Sequence, residues 1–184
     1  MVPLTSLLLP IVLSAVLVFI ASSVIHMVLP YHRKDFAPLP NEDAARSVLR
    51  VAPGDYATPY ASSGEAMKAP EFTAKMKEGP VVFMTVLPGG AWNMGPTLAK
   101  WFGYCLVVSV FAAYIAGRAR GPGAEYLDVF RFTSTTAFIG YTLALWQARI
   151  WYGRSLHYTL TTTFDGLIYA LLTAGVFGWL WPGT

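Results

Sequence analysis

Apolar residues gather into four long stretches, separated by short runs of charge and one longer polar segment. The first stretch runs from Leu4 to Leu29 and stops at Pro30, ahead of Tyr31-His32-Arg33-Lys34. The second lies between Lys100 and Arg118, the third between Arg131 and Arg149, and the fourth runs from about Thr162 to Pro182. Roughly 17–25 apolar residues in a helix cross the hydrocarbon of a bilayer. Backbone groups in lipid have no water to bond, so the expected form is helical. The pattern therefore predicts an all-α integral membrane protein with four transmembrane helices. The first lies within residues 1–29, and residues 101–184 form a three-helix bundle with spans at about 101–118, 131–149 and 162–182. The N-terminal stretch has no basic leader and is too long for a signal-peptide core, so it is expected to be a retained anchor.

Residues 30–100 form a polar, partly helical insertion between helices one and two. Asn41 has the side chain of an N-cap, Glu42 and Asp43 suit the positive end of a helix, and Arg46 and Arg50 follow. Pro53-Gly54 ends that helix, and residues 55–69 read as an irregular loop. A short helix is expected from Pro70 to Lys77, stopped by Gly79. Val81 to Leu87 is too short to span. The segment 80–96 is expected to lie extended on the membrane surface or against the helices.

Charge adds orientation. Arg33, Lys34, Lys100, Arg149 and Arg154 fall on one side of the predicted bundle, and Arg118, Arg120 and Arg131 on the other. The positive-inside rule places the larger group in the cytoplasm, which makes the insertion cytoplasmic and both termini periplasmic. Charged residues make up 12% of the chain, about half the usual share, and the basic ones are scattered, so no nucleic-acid-binding stripe exists. A single cysteine, Cys105, excludes an internal disulfide or a thiolate metal cluster.

Small residues recur every four positions, which stacks them on one helix face. Ser109, Ala113 and Gly117 form one row, Gly140, Ala144 and Ala148 a second, and Gly166, Ala170, Ala174 and Gly178 a third. Close backbone approach is what holds helices together in lipid, so these rows are expected packing faces. Aromatic side chains such as Phe111, Tyr114, Phe138 and Tyr141 occupy other faces and leave room there for bound lipid, quinone or pigment.

Candidate chemistry is sparse. Thr162-Thr163-Phe164-Asp165 has capping-box spacing, so Thr162 and Asp165 are expected at the start of the fourth helix, with Arg149 as an ion partner. His26 is the one histidine inside a span and the one candidate cofactor ligand. His32 and His157 lie just outside the membrane on the same side. No intrinsic metal site and no catalytic residue are expected, since no phosphate-cradling, HExxH or GxSxG pattern occurs.

Asn93-Met94-Gly95-Pro96 through Arg118, and Phe164-Asp165-Gly166-Leu167-Ile168-Tyr169-Ala170 to Pro182, resemble an uncharacterised family of small bacterial four-helix inner-membrane proteins. That resemblance implies a location in the bacterial inner membrane and transfers no site residue. Taken together, these features predict a non-catalytic accessory subunit that packs against a larger membrane complex of photosynthetic or respiratory type. Its partners would be lipid and other membrane subunits. The alternative is a small ion or solute transporter using Asp165 and Arg149.

Overall fold

The computed structural model describes residues 1–90 and 93–183, and the chain divides into two compact units. One comprises Met1–Ala37 and Asn93–Thr184, the other Pro38–Trp92. Three helices of the first unit are long and apolar enough to cross a membrane: Leu4–Met27, Gly95–Ala119 and Leu156–Trp179. The first opens with a 3-10 turn and continues as α1, Leu8–Met27. A 3-10 turn at Pro30–Lys34 follows, begun by a proline that cannot extend α1. Then come α5 (Gly95–Ala119), α6 (Tyr126–Phe138), a π turn at Ile139–Leu143, α7 (Ala144–Tyr152) and α8 (Leu156–Trp179).

α5 begins earlier than the charge pattern suggests. Its first turn holds Gly95 and Pro96, and Lys100 sits exposed inside the helix rather than at its edge. A long cationic side chain can keep its head in water while its stem lies along the helix, so it does not terminate one. The surface-lying segment expected at 80–96 is likewise split. Val82–Val86 is a strand, residues 91 and 92 lie outside the described residues, and Gly95 already belongs to α5.

The bundle is antiparallel, with a core at each end. Val2 donates its backbone N–H to Gly117 O at 2.8 Å, and Gly123 N–H donates to Pro182 O at 2.8 Å. Residues 2 and 182 therefore both lie at the end of the bundle that carries the α5–α6 loop. Around them pack Leu7, Ile11, Ala113, Val129 and Phe177. The other core gathers Ala15, Val18, Cys105, Val108, Ala137, Tyr141, Tyr169 and Ala170. Polar pins join helices where dispersion alone would leave sliding room. Ser14 Oγ donates to Ser109 Oγ at 3.0 Å, and Trp101 Nε1 donates to Ser22 Oγ at 2.8 Å.

The small-residue rows serve this internal packing unevenly. A Cβ added at Gly117 would stand 2.6 Å from Val2 O, and one at Gly178 would stand 2.5 Å from Tyr126 Cε2. At Gly166 it would run into the Thr142 side chain. Ser109, Ala113, Ala170 and Ala174 are buried. The row expected from Gly140 to Ala148 holds only at Gly140, where an added Cβ would stand 3.2 Å from Val108 Cγ1, since Ala144 is exposed and Ala148 half-buried. Its buried positions are instead Val129, Thr133, Ala137 and Tyr141, with Thr142 beside them. The π turn explains the change, because an extra residue per turn shifts the phase of everything after it. The phenol of Tyr104 donates to the Gly140 carbonyl within that turn at 2.5 Å.

The second unit is partly helical and adds a two-stranded hairpin, so the fold is nearly rather than wholly all-α. α2 (Glu42–Val48) starts at Asn41, whose side chain accepts from Ala44 N–H, and α4 (Pro70–Glu78) ends at Gly79. Between them, in the region read as a loop, lie β1 (Gly54–Thr58) and α3 (Gly64–Lys68). The apolar run near Val81 pairs with that strand: β2 (Val82–Val86) lies antiparallel to β1, Gly54 opposite Val86 and Thr58 opposite Val82. None of the described residues in this unit is buried.

Candidate functional site

The turn after α1 folds polar side chains back toward α8. Tyr31 donates its phenol to Asp165 Oδ1, and His32 Nε2 stands 2.8 Å from Asp165 Oδ2. On its far side His32 Nδ1 lies 2.6 Å from Asp35 Oδ2. His157 Nε2 is 3.7 Å from Asp35 Oδ1 and 3.3 Å from Tyr31 O. The imidazole of His26 stacks on that of His32, centroids 4.4 Å apart and planes 11° apart. His32, Asp35 and Asp165 keep only 10%, 6% and 4% of their side-chain surface in contact with solvent. Burial, and then the hydrogen bond and charge of Asp165, push the Tyr31 phenol well above its usual range. Tyr31 therefore stays protonated and remains a donor.

Asp165 is not a cap. α8 begins at Leu156, with the Ser155 side chain accepting from Tyr158 N–H, so Asp165 sits roughly two and a half turns inside the helix. Thr162 Oγ1 bonds back to Tyr158 O at 2.7 Å, and Arg149 Nη1 donates to Arg154 O at 2.7 Å. The expected cap and ion pair of Thr162, Asp165 and Arg149 are thus replaced by contacts of Asp165 with Tyr31 and His32. The expectation of no intrinsic metal rested on the absence of a local ligand motif such as HExxH. Folding brings ligating atoms of His26, His32 and Asp165 within 4.8 Å of one another.

His26 and Asp165 also line a cavity of about 490 Å³ walled by α1, α5, the π turn and α8. Trp101, Tyr104, Tyr141 and Tyr169 supply aromatic walls, and Met27, Met94, Leu98 and Leu145 supply aliphatic ones. Two buried phenols stand there: Tyr169 Oη has no hydrogen-bond partner, and Tyr141 Oη has only the weakly interacting thiol of Cys105 beside it. Unpaired buried donors are costly, and such groups in an apolar cleft of this size mark a place built to receive an acceptor. A cavity of about 540 Å³ in the smaller unit is lined by exposed charges of α4, among them Glu71, Lys75 and Glu78, with no comparable convergence.

Comparison with known proteins adds no name to this geometry: no family model, no curated protein and no solved structure matches the chain.

Proposed function

We propose that this chain is a four-span protein of the bacterial inner membrane and a non-catalytic accessory subunit of a larger membrane assembly. The fourth span would be the rod from Tyr126 to Tyr152, about 40 Å long at helical rise, with no charged residue from Phe132 to Ala148. The observation that carries the accessory role is the state of the 38–92 unit. It has no buried residue among those described, and Val48, Tyr60 and Leu87 are 79%, 75% and 63% exposed. A hairpin with short helices and no core is marginal in water. Covering those side chains with a partner subunit supplies the missing burial.

The cavity favours a second reading within the same assembly. Its aromatic walls and the unpaired phenol of Tyr169 suit a flat, lipid-soluble ring compound with carbonyl acceptors, of the quinone class. The alternative is a small ion or solute transporter using Asp165 and Arg149, which meet His32 and the Arg154 carbonyl respectively.

One purification addresses both readings. Isolated from its native membrane in mild detergent, the chain should migrate with other subunits, and organic extraction of that complex should yield a ring compound. Val48→Glu with Leu87→Glu should release the chain from the complex while its bundle stays folded. Migration as a lone chain in every mild detergent would end the accessory reading, and extracts containing lipid alone would end the second. Topology has a separate test. Cysteines placed at Ser62 and Gly121 should react from opposite sides of the membrane, Ser62 from the cytoplasm, while the fully buried Cys105 stays silent.

A further inference from the structure

We propose that His26, His32 and Asp165 form a binding site for one divalent first-row transition ion of the Zn²⁺, Fe²⁺ or Mn²⁺ type. The inference rests on neither reading above, because its argument is confined to the geometry of this cluster, whose ligating atoms lie within 4.8 Å of one another.

Tautomers come first. A carbonyl oxygen can only accept, so the 2.9 Å contact between His26 Nδ1 and Ser22 O puts a proton on Nδ1. His26 Nε2 is left with its lone pair. The same holds for His32, whose Nδ1 faces the Asp35 carboxylate at 2.6 Å. An imidazole held through one nitrogen by a carboxylate or carbonyl, with the other nitrogen bare, is the arrangement that surrounds protein-bound metals.

His32 Nε2 then becomes the deciding atom. It is buried, and although Asp165 Oδ2 is only 2.8 Å away, the two are not oriented as a hydrogen bond. With Nδ1 protonated, a neutral His32 ring would turn a lone pair toward a carboxylate. Two acceptors at that distance repel unless a cation lies between or beside them. A proton on Nε2 would point along the ring plane, away from the good hydrogen-bond direction. A metal ion tolerates the observed offset, because it draws both atoms toward a common centre.

Charge points the same way. Asp35 and Asp165 are both buried, and the ion pairs recorded for them are with histidines alone. Tyr31 donates to Asp165 Oδ1, which leaves Oδ2 for the ion. Two carboxylates buried side by side favour a divalent cation as their counter-charge. Two imidazoles and one carboxylate suit a borderline ion better than Ca²⁺ or Mg²⁺, which prefer oxygen ligands. His26 lies at the exposed end of α1, its ring stacked on that of His32, and the ligating atoms of the three residues lie within 4.8 Å of one another. His26 and Asp165 both line the cavity, so the ion's open positions would face it.

The test uses the full chain in detergent, stripped with a chelator and titrated with Zn²⁺ alone, or with Co²⁺ for its visible ligand-field bands. Binding of one ion per chain is expected. His32→Gln and His26→Gln should each weaken it about a hundredfold, in line with the loss of a ligand or its support. Glu71→Gln, in the other unit, should leave it unchanged. Since His26 is exposed, its variant keeps the test valid if His32→Gln fails to fold. Binding that survives unchanged in folded His26→Gln would overturn the site. So would no binding to the wild-type chain, or nitrogen NMR showing both His32 ring nitrogens protonated in the presence of Zn²⁺.

Discussion

Replacing Gly166 with alanine is expected to destabilise the bundle by about 1–3 kcal/mol, the usual cost of forcing atoms into a packed core. The added Cβ would run into the Thr142 side chain and stand 3.3 Å from Tyr141 Cβ. Thr142 has nowhere to retreat. It is fully buried in the π turn, and its hydroxyl is bonded to Phe138 O at 2.5 Å. The collision is with the Thr142 methyl, so Thr142→Ser removes the clashing atom while keeping the hydroxyl. The double variant Gly166→Ala with Thr142→Ser should regain most of the loss, a coupling that unfolding in detergent can measure directly. Gly103→Ala is the control. A Cβ there meets nothing within 4 Å, so the change should be neutral or stabilising by up to about 1 kcal/mol through helix propensity. Equal effects at Gly103 and Gly166 would mean that the α8 row is not a close-packed face.

The three long helices were legible because composition alone announces them, whereas their boundaries were not, and each miss has a physical cause. Charges were taken as edges. Yet Lys100 lies inside α5, and Arg131 lies inside α6, with Asp128 one turn earlier at 3.5 Å. The polar start of α8 was misread for a related reason. Its threonines look like cap residues, but Thr159, Thr161, Thr162 and Thr163 each turn their hydroxyl back onto a carbonyl three or four residues earlier. A hydroxyl satisfied within its own helix no longer competes with it, so the helix runs through. The hairpin was hidden because its strands are far apart in sequence. Val82–Val86 looked extended, but nothing in Gly54–Thr58 advertises a partner for it.

The site was half legible. Sequence placed His26, His32 and His157 on one side of the bundle and singled out Asp165, because a carboxylate near a membrane core invites suspicion. It could not bring Asp165 to Tyr31 and His32, since 134 residues separate Tyr31 from that carboxylate. The signal that went unused was Pro30. A proline just past a span forces a turn, and the polar residues that follow are thereby aimed back at the helix ends rather than away into water.

Removing the Asp165 carboxylate should therefore cost more than the loss of a helix cap. As a residue near the start of α8, it would contribute about 0.3–1 kcal/mol through the helix dipole. Instead it is buried, accepts from Tyr31 and faces His32 at 2.8 Å. Asp165→Leu fills a similar volume but leaves the buried Tyr31 phenol without its acceptor, and leaves Asp35 as the cluster's one buried carboxylate. Leaving a buried donor without its acceptor typically costs about 1–3 kcal/mol. Asp165→Asn keeps an acceptor for Tyr31 and loses the charge, so it should fall between the cap value and the leucine value. Unfolding of the chelator-treated chain in detergent measures both variants without any contribution from a bound ion. A further check is internal to the cluster. Once Asp165 is leucine, Tyr31→Phe should cost little more, because the hydrogen bond it would remove is already gone, whereas in the wild-type chain the same change removes a charge-assisted bond worth about 1.5–3 kcal/mol. Additive losses from the two changes would show that Tyr31 and Asp165 do not act together, and a loss below about 1 kcal/mol for Asp165→Leu would return the residue to the role of a cap.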